Sequence, residues 1–139
     1  MTSRLKQILL GTVAAFAILI VLDMVPFSSI VPSPDYRIFD YFYVWPAVKA
    51  AVVMSLAGFG GAYIAKVRFV APSVSLATAF WVFVVYISDS IAETAGQGDI
   101  LAIAGQHSLV LVSGTAGAVI GALLGRHFCM LLENVSNAA

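Results

Sequence analysis

Four long apolar segments dominate the chain, at about residues 5–25, 44–65, 73–91 and 108–125, each bounded by charged residues, prolines or glycines. A helix that rises about 1.5 Å per residue needs about 20 apolar residues to cross the roughly 30 Å of bilayer hydrocarbon. No water is available there to satisfy stray backbone groups, and the segments lack the alternation of barrel strands. The sequence therefore predicts an all-α integral membrane four-helix bundle, formed by one membrane domain of residues 1–139.

The composition agrees with this class of protein. Apolar residues make up 61% of the chain and charged residues 10%, whereas a soluble domain carries roughly 25% charged residues. The formal net charge is zero, so there is no surplus of lysine and arginine to form a face that binds nucleic acid. We therefore expect the lipid bilayer, and not a nucleic acid, to be a partner.

The distribution of charge predicts the orientation of the spans. Basic residues in short loops are retained on the cytoplasmic side, and five of the seven precede span one, separate spans two and three, or follow span four: Arg4, Lys6, Lys66, Arg68 and Arg126. Six of the seven acidic residues fall on the other side, and Glu133 is the exception. Both termini are predicted to be cytoplasmic, in a multi-pass protein of the bacterial inner membrane or an equivalent cell membrane.

The loop between the first two spans, residues 26–43, carries signals of its own. Ser33, Pro34 and Asp35 are typical of a helix start, with a capping hydroxyl, a proline in the first turn and a carboxylate near the positive end of the helix dipole. Aromatic rings suited to the headgroup layer follow: Tyr36, Phe39, Tyr41, Phe42, Tyr43 and Trp45. We predict a short interfacial helix, and an aromatic platform for lipid or substrate is the alternative.

Small residues recur on one side of two spans. Helices in lipid associate where small side chains let their backbones approach. The second span carries Ala51, Ser55, Gly58, Ala62 and Ala65 at steps of three and four, and the fourth carries Gly114, Gly117, Gly121 and Gly125. The spacing predicts that these helices form the tightly packed pair, or that one of them forms a homodimer seam.

Polar residues inside or beside the spans form a candidate intramembrane site: Asp23, Lys49, Asp89, Glu93 and His107. Asp23, Lys49, Asp89 and His107 are predicted to lie in the outer third of the bilayer. Three interpretations remain open: the charged groups reach out to the headgroups, Lys49 pairs with Asp89 or Asp23, or a proton or ion route is lined by Asp89, Glu93 and His107.

The third span also carries a polar stripe. Its members follow helical steps of three and four: Ser75, Thr78, Tyr86, Asp89 and Glu93. Because polar groups in hydrocarbon are costly, the stripe is predicted to face the bundle or a wet cleft.

The sequence contains few groups of residues that are typical of a catalytic or metal site. The two histidines, His107 and His127, belong to opposite sides of the predicted bundle, and Cys129 is the only cysteine, so no metal site is expected. Nucleophile-elbow and phosphate-loop motifs are also missing. We expect a non-enzymatic protein without a cofactor.

The leading functional hypothesis is a small membrane subunit that associates through its glycine faces with itself or with a larger membrane complex. The alternative is a small transporter or channel subunit with an outer-side polar or proton site. The third-span stripe favours the alternative, as does a weak likeness between spans two and four at an offset of 59 residues, which suggests a repeat.

Overall fold

The fold is all-helical apart from one small strand pair. The computed structural model describes residues 3–24, 37–38, 42–94, 96 and 98–138. Within them lie helices α1 (Ser3–Asp23), α2 (Val44–Ala65), α3 (Val70–Thr94), α4 (Ile100–Gln106) and α5 (Ser108–Ala138), and strands β1 (Arg37–Ile38) and β2 (Phe42–Tyr43). Among these helices, α1, α2, α3 and α5 are long and apolar enough to cross a membrane. The predicted helical class and the four candidate spans are confirmed, and they fit a multi-pass membrane protein.

Two helices extend past the predicted ends of their spans. Helix α3 begins at Val70 and ends at Thr94, and α5 continues to Ala138 instead of stopping at Gly125. The apolar run does end near Gly125, but the residues that follow it include arginine, methionine, leucine and glutamate, which are good helix formers. The predicted boundary at Gly125 is therefore the end of the hydrophobic segment, and the helix itself continues beyond it.

The connection between α3 and α5 contains the short helix α4, which the sequence analysis did not anticipate. The carboxylate of Asp99 accepts hydrogen bonds from the backbone N–H groups of Leu101 and Ala102, at 3.1 and 3.3 Å. This arrangement satisfies two of the donors that a helix start leaves without partners.

The interfacial helix predicted in the first loop is not confirmed. Arg37 pairs with Tyr43 and Ile38 with Phe42 as an antiparallel ladder, so these four residues are strands and not helix. Tyrosine, phenylalanine and isoleucine are favoured in strands, and that preference competes with the helix-start signal. The helix-start residues Ser33, Pro34 and Asp35, and the rings at positions 36, 39 and 41, lie outside the described residues.

Helices α2 and α5 run parallel in a constant register. Gly117 lies against Ala51, Gly121 against Ser55 and Gly125 against Phe59, so each facing pair is 66 residues apart. The Ser113 hydroxyl donates to the carbonyl oxygen of Ala47 at 2.8 Å with the same separation. We call the end of the bundle where α1 ends and α2 begins the outer end, and the opposite end the inner end.

Helix α1 runs antiparallel to α2 and closes the inner half of the core. A Cβ atom at Gly11 would lie 2.6 Å from the carbonyl oxygen of Gly61 and 2.9 Å from the ring of Phe69. Phe69, which precedes α3, is 1% exposed. Its ring fills the space that the two glycines leave open, so α1, α2 and the start of α3 meet at one aromatic side chain.

Candidate functional site

The contact between α2 and α5, here called the α2–α5 seam, consists of backbone packed on backbone. A Cβ atom at Gly117 would lie 3.0 Å from both the Cα and the carbonyl carbon of Ala51, and one at Gly121 would lie 2.7 Å from the carbonyl carbon and 2.9 Å from the Cα of Ser55. Since real Cβ atoms almost never approach this closely, any side chain at these positions would force the helices apart. The glycine face of α5 is therefore occupied by α2 of the same chain.

The α2 side of the seam is built from the small residues that its sequence spacing singled out. A Cβ atom at Gly58 would lie 2.6 Å from the carbonyl oxygen of Ala118. Ala62 is buried, and Ala51 and Ser55 are half-buried. Gly114 differs from its neighbours, because a Cβ atom there would meet only side chains, at 3.6 and 3.7 Å. The seam is thus tight from Gly117 inward and looser at its outer end.

Lys49 and Asp23 form an ion pair at the outer end of the bundle. The Nζ atom of Lys49 lies 2.6 Å from Oδ1 of Asp23 and also donates to the main-chain oxygen of Asp23 at 3.1 Å. The ammonium therefore meets both a carboxylate and the end of α1, where the helix dipole favours positive charge. Of the two pairings considered from the sequence, the structure has the one with Asp23; no salt bridge joins Lys49 to Asp89 within the described residues.

Trp81 fixes the axial position of α3 against the other helices. Its Nε1–H donates to the carbonyl oxygen of His107 at 2.9 Å, and its ring packs against a cluster that contains Ala47, Ala50 and Val110. Trp81 is therefore level with the first turns of α2 and with the start of α5.

That position separates the predicted polar residues into two groups. Asp89 comes eight residues after Trp81 on the same helix, which places it about 12 Å further out along the axis. Lys49 belongs to the level of Trp81, next to Ala50. Asp89 and Glu93 therefore lie further out along the helix axis than Lys49, and the common bilayer depth predicted for Asp23, Lys49, Asp89 and His107 stays a prediction.

The outermost acidic residues have different surroundings. Oδ1 of Asp89 is buried and accepts no hydrogen bond in the part of the chain that the structure describes. Glu93 is exposed, and Gly98 packs against its backbone so closely that a Cβ atom there would lie 3.2 Å from the Cα of Glu93. The turn after α3 is thus folded back on the end of that helix.

His107 joins α4 to α5. Its backbone N–H donates to the carbonyl oxygen of Ile103 at 3.1 Å and so caps α4. Burial lowers the pKa of His107 below its ordinary value of 6.5, because an apolar environment disfavours the charged imidazolium.

Most of the polar stripe of α3 lies on the exposed side of the helix and does not face the bundle, and the alternative that it faces a wet cleft stays a prediction. Ser75, Thr78, Tyr86 and Glu93 are exposed. The Thr78 hydroxyl donates to the carbonyl oxygen of Val74 at 3.0 Å, and the Ser90 hydroxyl bonds Tyr86 in the same way. Since serine and threonine can satisfy their hydroxyls within their own helix, these residues do not require a polar partner in the core.

Two contributors to the fold escaped the sequence analysis. The sequence analysis did not single out Trp81, although an indole N–H inside a bundle needs an acceptor. Gly11 and Ala15 are two small residues four positions apart on the face of α1 that meets α2. That spacing is typical of a helix-packing face in a membrane protein and could have predicted the contact. Among the described residues, no group of His, Cys, Asp or Glu is arranged to hold a metal ion.

No protein-family model, curated protein or solved structure significantly matches the chain.

Proposed function

We propose that the protein is a small, non-enzymatic, multi-pass membrane subunit that functions in a homo-oligomer or in a larger membrane complex of the cell membrane. One observation supports this most directly: large apolar side chains remain exposed on α4, the short helix that lies between the third and fourth candidate spans. Ile100 is 51% exposed and Leu101 81% exposed. Apolar surface outside hydrocarbon is unfavourable in a solitary chain and is typical of an interaction surface.

The position of the bundle in the bilayer follows from its charged ends. Arg4 and Asp23 are 19 residues apart on α1, or about 28 Å along the helix, and Lys49 and Lys66 are 17 residues apart, or about 25 Å. Both lengths match a hydrocarbon layer of roughly 30 Å with charged groups at its borders. Trp45 lies at the start of α2 near the outer border, where tryptophan is enriched in membrane proteins.

This placement keeps both termini on the cytoplasmic side. The basic residues Arg4, Lys66, Arg68 and Arg126 belong to the inner end, as the retention of positive charge in the cytoplasm requires. The parallel course of α2 and α5 fits this orientation, because two helices that cross in the same direction need one return crossing between them.

The glycine faces, which first suggested association, do not provide the association surface in this proposal. Gly117, Gly121 and Gly125 meet the backbone of α2 in the same chain. The substitution Gly121→Leu would disrupt the fold itself, so it cannot report on assembly alone. An association surface has to be sought on the exposed sides of α1, α3 and the outer end.

The test is the protein mass of the particle extracted from its native membrane into polymer-bounded lipid discs. One chain has a mass of 14.7 kDa. The proposal expects a discrete protein mass above that value, as two or more copies or as a complex with another chain. A protein mass of a single chain, at native expression level and with lipid retained, would overturn it.

A small transporter or channel subunit is the second candidate. Asp89 favours it, because its buried Oδ1 accepts no hydrogen bond within the described residues and offers an acceptor to a proton or cation. In proteoliposomes, Asp89→Asn should then abolish a pH-dependent ion flux that the unmutated protein supports. If the unmutated protein shows no flux, this candidate is eliminated.

A further inference from the structure

The inner end of the bundle carries a large excess of positive charge. Its described part holds five basic side chains and one acidic side chain: Arg4, Lys6, Lys66, Arg68, Arg126 and Glu133. Oε1 of Glu133 lies 3.7 Å from Nζ of Lys66 and also accepts a hydrogen bond from the Cys129 thiol at 3.8 Å. The carboxylate at this end is therefore engaged, and the other four basic side chains have no carboxylate partner among the described residues.

Arg126 lies on the side of α5 that faces the turn between α2 and α3. Arg126 and Glu133 are seven residues apart, so at about 100° per residue they share one face of α5. On that face Glu133 meets Lys66, the first residue of the turn. Arg126 is half-buried, whereas the other four basic residues of this end are exposed. The most buried positive charge of the inner end is therefore also one that has no carboxylate partner within the described residues.

Arg126 also lies deeper in the bilayer than the end of α2. The constant register of the α2–α5 seam sets it six residues closer to the membrane centre than Lys66, which is about 9 Å along the helix axis. The turn itself returns toward this level, because the ring of Phe69 packs against Gly61, and Arg68 is the neighbour of Phe69 in the chain. A charged group at such a depth is costly unless a group of opposite charge accompanies it.

The chemistry of these side chains favours a phosphate group as that counter-ion. A guanidinium group binds phosphate oxygens through two parallel hydrogen bonds, which an ammonium group cannot do. Basic pockets between helices on the cytoplasmic side of a membrane are suited to anionic headgroups. A zwitterionic phospholipid carries its own ammonium group, which the positive surroundings repel, whereas an anionic phospholipid carries net negative charge.

We propose that Lys66, Arg68 and Arg126 form a binding site for the phosphate group of one anionic phospholipid of the cytoplasmic leaflet. Arg126 is the main anchor, because it is the half-buried member of the group. This inference rests on the membrane placement within the proposed function, but it does not rest on association with another chain.

The test is native mass spectrometry of the full chain, released from micelles that contain equal amounts of phosphatidylglycerol and phosphatidylcholine with the same acyl chains. We expect one phospholipid to be retained per chain, with phosphatidylglycerol favoured about tenfold. Arg126→Gln should lower the retained phosphatidylglycerol about tenfold, since a charge-assisted pair of hydrogen bonds is lost. Arg4→Gln, the matched control, removes the same charge from the same end and should change the retention less than about twofold, because exposed charges are screened.

A charge-conserving variant separates recognition of phosphate from attraction by net charge. Arg126→Lys keeps the positive charge but loses the two parallel hydrogen bonds, so its retention should lie between that of the unmutated protein and that of Arg126→Gln. Circular dichroism in the same micelles should show unchanged helix content in all variants. Excess inorganic phosphate should not displace the lipid, because it has no acyl chains to hold it at the membrane.

Several outcomes would overturn this inference. Equal retention of the two phospholipids would exclude an anionic site, and equal losses with Arg126→Gln and Arg4→Gln would mean that the attraction is diffuse. Displacement by inorganic phosphate would mean that the ligand is free phosphate. A particle of one chain that retains phosphatidylglycerol through Arg126 would refute the proposed association and leave the lipid site standing. A heavier particle without lipid preference would do the reverse.

Discussion

Replacing Gly121 by alanine tests the α2–α5 seam with the smallest possible side chain. The added Cβ atom would lie 2.7 Å from the carbonyl carbon of Ser55 and 2.9 Å from its Cα. Favourable contact between carbon atoms begins near 3.5 Å, and the carbonyl oxygen of Ser55 lies closer still, so the two helices must separate locally by at least about 0.8 Å. The atoms that obstruct the methyl group belong to the backbone and cannot rotate away.

The expected cost follows from that separation. Inserting an extra carbon into a tightly packed interior costs about 1–3 kcal/mol. Gly117 and Gly125 make the same kind of contact one turn to either side, and a gap of 0.5–1 Å forfeits about a quarter to a half of each dispersion contact. Alanine recovers about 1 kcal/mol of helix propensity. We expect a net loss of about 1–3 kcal/mol in the free energy of unfolding.

Gly114→Ala provides the matched control on the same helix. A Cβ atom there would lie 3.6 Å from Met54 and 3.7 Å from Ala50, which is ordinary contact, so the stability should be unchanged or higher by up to about 1 kcal/mol. Both variants are compared by reversible SDS titration in mixed micelles, followed by circular dichroism. Equal effects of the two substitutions would refute the backbone contact described for Gly121.

Three further predictions concern the outer end. In a double-mutant cycle of Asp23→Asn and Lys49→Met, the coupling free energy should be below about 1 kcal/mol because both side chains are partly exposed; a coupling of several kcal/mol would mean that the pair is buried in lipid. Trp81→Phe should cost about 0.5–1.5 kcal/mol through the lost hydrogen bond to His107, while Trp45→Phe serves as the control for loss of an indole, and equal costs would contradict the bond. Burial lowers the pKa of His107 in the folded protein below its ordinary value of 6.5, so, as the pH falls, the unfolded chain binds a proton at this imidazole before the folded chain does. The free energy of unfolding should therefore keep its full value above pH 6.5 and fall as the pH drops toward the pKa of the folded state. His107→Gln should flatten that dependence, which thermal unfolding between pH 5 and 8 measures.

The number of candidate spans could be predicted because the property that defines a transmembrane helix is length in apolar residues, which a sequence displays directly. The helix ends were less predictable. In α5 the apolar segment stops near Gly125, but good helix formers continue the helix to Ala138. Hydropathy reports the solvent around a segment, whereas helix ends depend on backbone hydrogen bonds and caps.

The contact face of α5 was visible in the sequence because glycines four residues apart fall on one side of a helix. Their partner and register were not visible. The same spacing is compatible with a contact inside the chain or between chains, and only the fold sets Gly121 against Ser55. The distinction decides whether a glycine substitution reports on assembly or on folding.

The polar residues were the least predictable part. The depth of each was inferred from its position in its own span, as if all helices began at the same level. The hydrogen bond from Trp81 to His107 shifts α3 outward relative to that assumption, so Asp89 lies beyond Lys49. The hydroxyl of Thr78 donates to the backbone of its own helix, so this member of the stripe does not need a polar partner in the bundle.

The most direct test of the proposed membrane arrangement is the accessibility of single cysteines to a membrane-impermeant maleimide in intact cells. Cysteine is introduced at Ser3, Thr94 or Ser136 in a Cys129→Ala background. Thr94→Cys should react in intact cells, and Ser3→Cys and Ser136→Cys should react only after permeabilisation. Reaction of Ser3 and Ser136 on opposite sides would contradict four crossings, and a Thr94 variant that reacts only after permeabilisation would contradict an outer α3 end outside the membrane.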